Sequence, residues 1–161
     1  MIRTSDAENL ASLQSGRILG VDYGESRIGL SLSDPMQILA SSLKTITNSS
    51  VKQVVDEFDE IVKEHKVTAM VFGRPVHMRG ETSKMVEKIQ KFVEQLTTKI
   101  DLPIFLWDER WTTVSAEKLM HELGHSPSKQ RHKIDQVAAS FLLQNFLDRL
   151  ASVRRQRALT E

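Results

Sequence analysis

A chain of 161 residues, with 40% hydrophobic and 27% charged side chains, has the size and balance of one globular unit with its own core. Its formal net charge of +1 gives no overall basic excess, so any nucleic-acid partner must be held by local patches. The absence of cysteine excludes disulfides, thiolate metal sites and thiol nucleophiles, and no apolar run approaches the roughly 20 residues of a membrane-spanning helix.

Residues 1–16, MIRTSDAENLASLQSG, lack the apolar centre of a secretory signal and read as a short mobile lead-in. RILGVD at 17–22 is a short apolar run with an acid at its end, YGES follows as a turn, and IGLSLS at 28–33 alternates Ile28, Leu30 and Leu32 with small or polar residues. That period of two predicts a β-hairpin over 17–33. Asp34-Pro35 marks another turn, and ILASSLKTI supplies a third strand. From 51 to 65 the period changes: Val51, Val54, Val55, Phe58, Ile61 and Val62 make one helical stripe, which Asn48, Ser49 or Ser50 can cap. VTAMVFG at 67–73 predicts a buried strand, 81–98 a helix, IFLW at 104–107 a strand, 112–123 a helix stopped by Gly124, and 133–150 a last helix. The fold class is therefore α/β: a mixed five-stranded sheet in the order β-β-β-α-β-α-β-α-α, with helices packed on its faces. Residues 17–150 form the single domain, and 151–161 read as a basic polar tail.

Three acids sit at the ends of these elements. Asp22 shares a strand face with Ile18 and Gly20; taken alone, capping the turn explains it better than a site does. Asp135 is harder to dismiss. On a helical wheel, Ala138, Ala139, Leu142 and Phe146 lie within about 60° of it, so the acid belongs to the stripe that faces the sheet. The helix dipole explains an acid near the N-terminus but not its inward face. Glu109, in WDERWTT, ends the strand after LPIFL, where pairing with Arg110 is the alternative to a site. If all three converge, two carboxylates at 4 Å repel by about 4 kcal/mol at an effective dielectric of 20. Oxygen-only ligands answer that repulsion best with Mg²⁺ or Mn²⁺, and the five histidines show no HxxxH-type spacing with a third ligand. Acids around one or two such ions suggest phosphoryl chemistry.

GVDYGESRIGLSLSDP, VFGRPVHMRGE, LWDERWTT and KIDQVAASFLLQ occur in the order seen in the YqgF/RuvX family, which the chain resembles over about residues 17–150. The family comprises Holliday-junction-resolvase-like proteins, also described as pre-16S rRNA nucleases. The resemblance implies an RNase H-like fold similar to RuvC, catalytic and metal-binding acids at Asp22, Glu109 and Asp135, Mg²⁺ or Mn²⁺ as cofactor, and processing of the 5′ end of pre-16S rRNA. The alternatives are resolution of branched DNA and a non-catalytic binder of ribosome precursors. The chain departs from the family's frequent GLPLNMDG with GRPVHMRG at 73–80, which puts substrate preference at that loop in doubt.

Arg27, Arg74, Arg79, Arg110, Lys129, Arg131 and Lys133 flank the acids in sequence and are the candidate phosphate contacts, each against the alternative of a solvated charge. GVDYGESRIG also resembles the phosphate-loop hairpin of sugar kinases and actin-like ATPases. Those enzymes close two lobes on a nucleotide, for which 161 residues leave no room, and no GxxxxGK[ST] loop occurs. The expected state is a monomer or weak homodimer without a membrane partner. The expected location is cytoplasmic, with an organelle of a eukaryotic source left open.

Overall fold

A computed structural model describes residues 2–3, 6–74, 79–108 and 131–161. In chain order the elements are β1 (Ile2–Arg3), α1 (Ala7–Ala11), β2 (Arg17–Tyr23), β3 (Arg27–Ser33), β4 (Ala40–Thr47), α2 (Val51–His65), β5 (Val67–Arg74), α3 (Arg79–Thr97), β6 (Ile104–Asp108) and α4 (Arg131–Thr160). The strands form one sheet in the order β1-β6-β5-β2-β3-β4. β3 runs antiparallel to both its neighbours, and β1, β6, β5 and β2 run parallel to one another. The sheet is thus mixed, as expected, but has six strands rather than five, because Ile2 and Arg3 pair with Ile104 and Phe105. The helix expected over 112–123 lies outside the described residues.

Period-two alternation sends each strand's side chains into two cores. On one face Leu19, Val21, Ile28, Leu30, Met70, Phe72 and Ile104 pack with Val54, Phe58 and Ile61 of α2 and Ile89, Phe92 and Leu96 of α3. Phe58, Phe72 and Phe92 meet there with ring centroids 5.4–6.4 Å apart, and fully burying each such ring contributes about 1.5–3 kcal/mol. On the other face Ile18, Ala69, Val71 and Phe105 receive Leu143, Phe146, Leu147 and Leu150 of α4. Trp107 crosses Phe146 edge-on at 5.4 Å on this same side.

α2 begins at Val51, where the Ser50 side chain accepts from the Gln53 N–H, and ends at a left-handed Lys66. Val51, placed by its spacing on the buried stripe, is half exposed, since it precedes the turn that first meets the sheet.

Both chain ends differ from their sequence reading. Residues 6–16 are more than a bare lead-in. Asp6 caps α1 by accepting from the Asn9 N–H, and Leu10 and Leu13 enter the α4-side core. The expected tail continues α4 to Thr160, because SVRRQRALTE contains no Gly or Pro and Val153 extends the Phe146–Leu150 stripe into that core.

Between β3 and β4 the chain is tied down by polar groups. Gln37 takes a left-handed φ of 62° and is buried; its amide donates to the Gln14 and Gly16 carbonyls and accepts from Arg154. The Asp34 carboxylate accepts from the N–H groups of Met36, Ile38 and Leu39 at 2.7–3.0 Å. The bond from Leu39 above all holds the Asp34 pKa below the ordinary aspartate value; burial opposes it, and the bonds from Ile38 and Met36 add to the lowering. A lowered folded-state pKa contributes stability that is complete above the unfolded value and lost as pH falls through the folded one. Urea unfolding at about pH 6 and about pH 3 is therefore expected to show a smaller acid loss in Asp34→Asn than in the parent chain. Equal losses would remove Asp34 from the acid limb.

Candidate active site

The three parallel strands β2, β5 and β6 end on one edge of the sheet, at Tyr23, Arg74 and Asp108, and β3 starts from the same edge at Arg27. In open α/β sheets the crevice at the carboxyl ends of such strands is where ligands bind. Asp22 lies opposite Gly29 in the β2–β3 ladder, so the two share a face. Arg27, two residues before Gly29, belongs to that face as well.

α4 covers it at very short range. A Cβ placed on Gly29 would stand 2.1 Å from the Asp135 carbonyl oxygen, and one on Gly20 would stand 2.8 Å from the Leu143 Cβ. Ser31, the ladder partner of Gly20, is fully buried, and its Oγ donates to the Ala139 carbonyl at 2.7 Å. Ala138, Ala139, Leu142 and Phe146 are buried beneath the helix, as the wheel predicts. The glycines and alanines thus let α4 sit low enough that Asp135 comes down over Gly29, beside its ladder partner Asp22. Asp22 and Asp135 line one polar cavity of about 260 Å³, together with Gly24, Glu25, Ser26 and Arg27.

Among the described residues, two ion pairs organise this cavity. Arg27 Nε donates to Asp135 Oδ2 at 2.7 Å, with the side chains 30% and 21% exposed. Glu25 is paired with Lys88 of α3; that hydrogen bond, and next the lysine's charge, lower the Glu25 pKa. The hairpin turn is fastened from outside by Asn48, which donates its side chain to the Gly24 carbonyl and its N–H to the Ser26 carbonyl.

The structure brings Asp22, Arg27 and Asp135 together. Arg74 is exposed at the end of β5 on the same edge. Arg79 and Arg131 are the first residues of α3 and α4, and Lys133 is exposed in the first turn of α4. Glu109, Arg110 and Lys129 lie outside the described residues. Sequence reasoning did not single out Glu25 and Ser26 as cavity residues. Their position in the turn directly after Asp22 was the available signal.

Asp22 and Asp135 offer oxygen donors only, which fits a hard divalent cation rather than zinc or copper. Among the described residues no group of three His, Cys, Asp or Glu side chains is placed to hold an ion. Also among the described residues, no helix is long and apolar enough to cross a membrane.

Comparison with known proteins finds relatives over most of the chain. Residues 16–149 match the family model described as RuvX, Holliday junction resolvase. A Roseiflexus sp. (strain RS-1) protein named "Putative pre-16S rRNA nuclease" is 43% identical over 137 residues, covering 85% of this chain and 97% of that protein. A protein of the same name from Ruminiclostridium cellulolyticum is 41% identical over 140 residues, covering 86% of this chain and 99% of that one. Among solved structures, T. thermophilus RuvC in complex with a Holliday junction substrate superposes with a TM-score of 0.54 at 16% identity, covering 84% of this chain and 96% of that one. At that identity the likeness is one of fold, and it is the RNase H-like fold expected from the sequence.

Proposed function

The chain belongs to the RuvX family of resolvase-like nucleases, and from that premise we propose that it is a divalent-metal-dependent endonuclease that processes the 5′ end of pre-16S rRNA. The observation that carries the reading is the meeting of Asp22 and Asp135 in one polar cavity at the carboxyl edge of the parallel strands. The names of the relatives at about 40% identity favour RNA as substrate. The family description keeps branched DNA as the second reading.

Asp22, Asp135 and Glu109 are the proposed ligands of Mg²⁺ or Mn²⁺. Support for Glu109 comes from Phe105 and Trp107, which project on the α4 side of β6, the side on which Asp22 and Asp135 meet. The bound cation supplies a water of lowered pKa and charge stabilisation at the phosphodiester. The chain's own groups set the geometry: the Gly29 contact fixes Asp135, and the β2–β3 ladder fixes Asp22. Arg27, Arg74, Arg79, Arg110, Lys129, Arg131 and Lys133 are the proposed rim that binds flanking phosphates. An rRNA-precursor substrate supports a cytoplasmic location, and a monomer or weak homodimer is the proposed state.

A single-turnover comparison tests the reading. With Mn²⁺, a 5′-extended small-subunit rRNA precursor is expected to be cut at a defined site, and a synthetic four-way DNA junction at least about tenfold more slowly, a difference of about 1.4 kcal/mol in barrier. The reverse order would make the junction reading the better one. Binding of both without cleavage of either would make the protein a non-catalytic binder.

A further inference from the structure

Arg27 is placed among the phosphate-binding residues by its sequence position, yet its guanidinium is engaged inside the cavity, on the carboxylate proposed to hold the cation. A phosphate contact on an open rim has no need of a bond to Asp135. The bond joins residues 108 positions apart, and both side chains are mostly shielded, so solvent screens it less than a surface pair.

The geometry gives the bond a meaning. Arg27 Nε occupies Asp135 Oδ2, a carboxylate oxygen facing the cavity that a cation held there would need. We propose that Arg27 is the resident counter-ion of the metal-free site: it holds Asp135 in place, and it must release that carboxylate for the cation to bind. The inference rests on the reading of Asp22 and Asp135 as cation ligands. Arg27 is then a positioning residue, acting through Asp135. The released guanidinium, a planar donor fork suited to phosphate oxygens, stays beside the cavity when the negatively charged strand arrives. One side chain thus serves the empty site and the loaded one, and cation binding is coupled to exposure of a phosphate-binding group.

The coupling has a sign that a purely structural arginine does not share. A structural arginine, once removed, loosens the site and weakens ion binding. A competing counter-ion, once removed, strengthens it. Mn²⁺ binding is measured by the loss of the free-ion electron paramagnetic resonance signal for the parent chain, Arg27→Gln and Arg74→Gln. Arg74 supplies the control for simple loss of positive charge, because it stands exposed on the same edge. Arg27→Gln is expected to bind Mn²⁺ about fivefold or more tightly than the parent, and Arg74→Gln to stay within about twofold. Thermal unfolding gives the reciprocal readout. Arg27→Gln is expected to melt below the parent without metal, and the gap is expected to close at saturating Mn²⁺, since the pair stabilises only the empty site. Unchanged or weaker Mn²⁺ binding by Arg27→Gln overturns the inference, as does an equal gain in Arg74→Gln. The underlying reading fails separately: if Asp22→Asn binds Mn²⁺ as the parent does, the cavity is not the cation site and both ideas fall. If binding depends on Asp22 but ignores Arg27, only the counter-ion role falls.

Discussion

Asn in place of Asp22 is expected to lower single-turnover cleavage in Mn²⁺ by about 10³-fold or more, which corresponds to about 4 kcal/mol of barrier. The substitution keeps the shape of the side chain and removes one charge. The strand cannot compensate. Asp22 sits in the β2–β3 ladder opposite Gly29, directly after Val21, the last β2 residue paired with β5, so its backbone position is set by the sheet. An amide oxygen in that place is a neutral donor to the cation and leaves Asp135 as the one charged ligand among the described cavity residues not already matched by Lys88. Metal-free stability is expected to change by no more than about 3 kcal/mol, the ordinary range for a single substitution. The measurement is single-turnover cleavage with the unfolding curve of the same preparation. Residual cleavage equal to the parent's would assign the activity to a contaminant or to a different site.

The sequence made some of this site legible and hid the rest for physical reasons. Asp135 could be found because a carboxylate among Ala138, Ala139, Leu142 and Phe146 breaks the helical period, and a broken period is visible without any knowledge of the partner surface. The hairpin could be found because Ile28, Leu30 and Leu32 alternate. The same alternation conceals what lies opposite: Gly29, Ser31 and Ser33 resemble a solvent-facing row, yet Ser31 and Ser33 are buried. Small polar residues can be exposed or can be the floor beneath a closely packed helix, and period alone does not separate the two. Ala138 and Ala139 on the matching helix stripe were the available clue. Arg27 shows a stricter limit. Its partner is 108 positions away, and nothing local to RIG distinguishes a rim arginine from one turned into the cavity. At the chain ends the error has the opposite origin. Leu10, Leu13 and Val153 are isolated apolar residues in polar stretches, and each is buried because two ends of the chain, distant in sequence, meet on the α4 side of the sheet.

Gly29→Ala is expected to damage both stability and cleavage, and by the same displacement. The added Cβ would lie 2.1 Å from the Asp135 carbonyl oxygen, 2.4 Å from its carbonyl carbon and 2.9 Å from its Cβ. Two of these three obstacles are helix backbone, which no rotamer change can move, so α4 must lift from β3. Overpacking a close contact typically costs about 1–3 kcal/mol, and with backbone as the obstacle a value near about 3 kcal/mol is expected, a fall in Tm of about 10 °C for a chain of this size. Lifting the helix also takes Asp135 away from Asp22, so the folded fraction is expected to lose Mn²⁺ affinity and cleavage. Gly16→Ala separates the two effects. Gly16 has a φ of +127° and faces the Thr68 side chain at 2.4 Å, so the change is strained, but none of its nearest contacts is a cavity residue. It is expected to lower Tm while leaving cleavage per folded molecule near the parent value. If Gly29→Ala, assayed well below its Tm, cleaves like the parent, then the seating of α4 on the hairpin does not set the distance between the two acids. If it fails while Gly16→Ala succeeds, one methyl group beneath the helix has separated the ligands without touching either carboxylate.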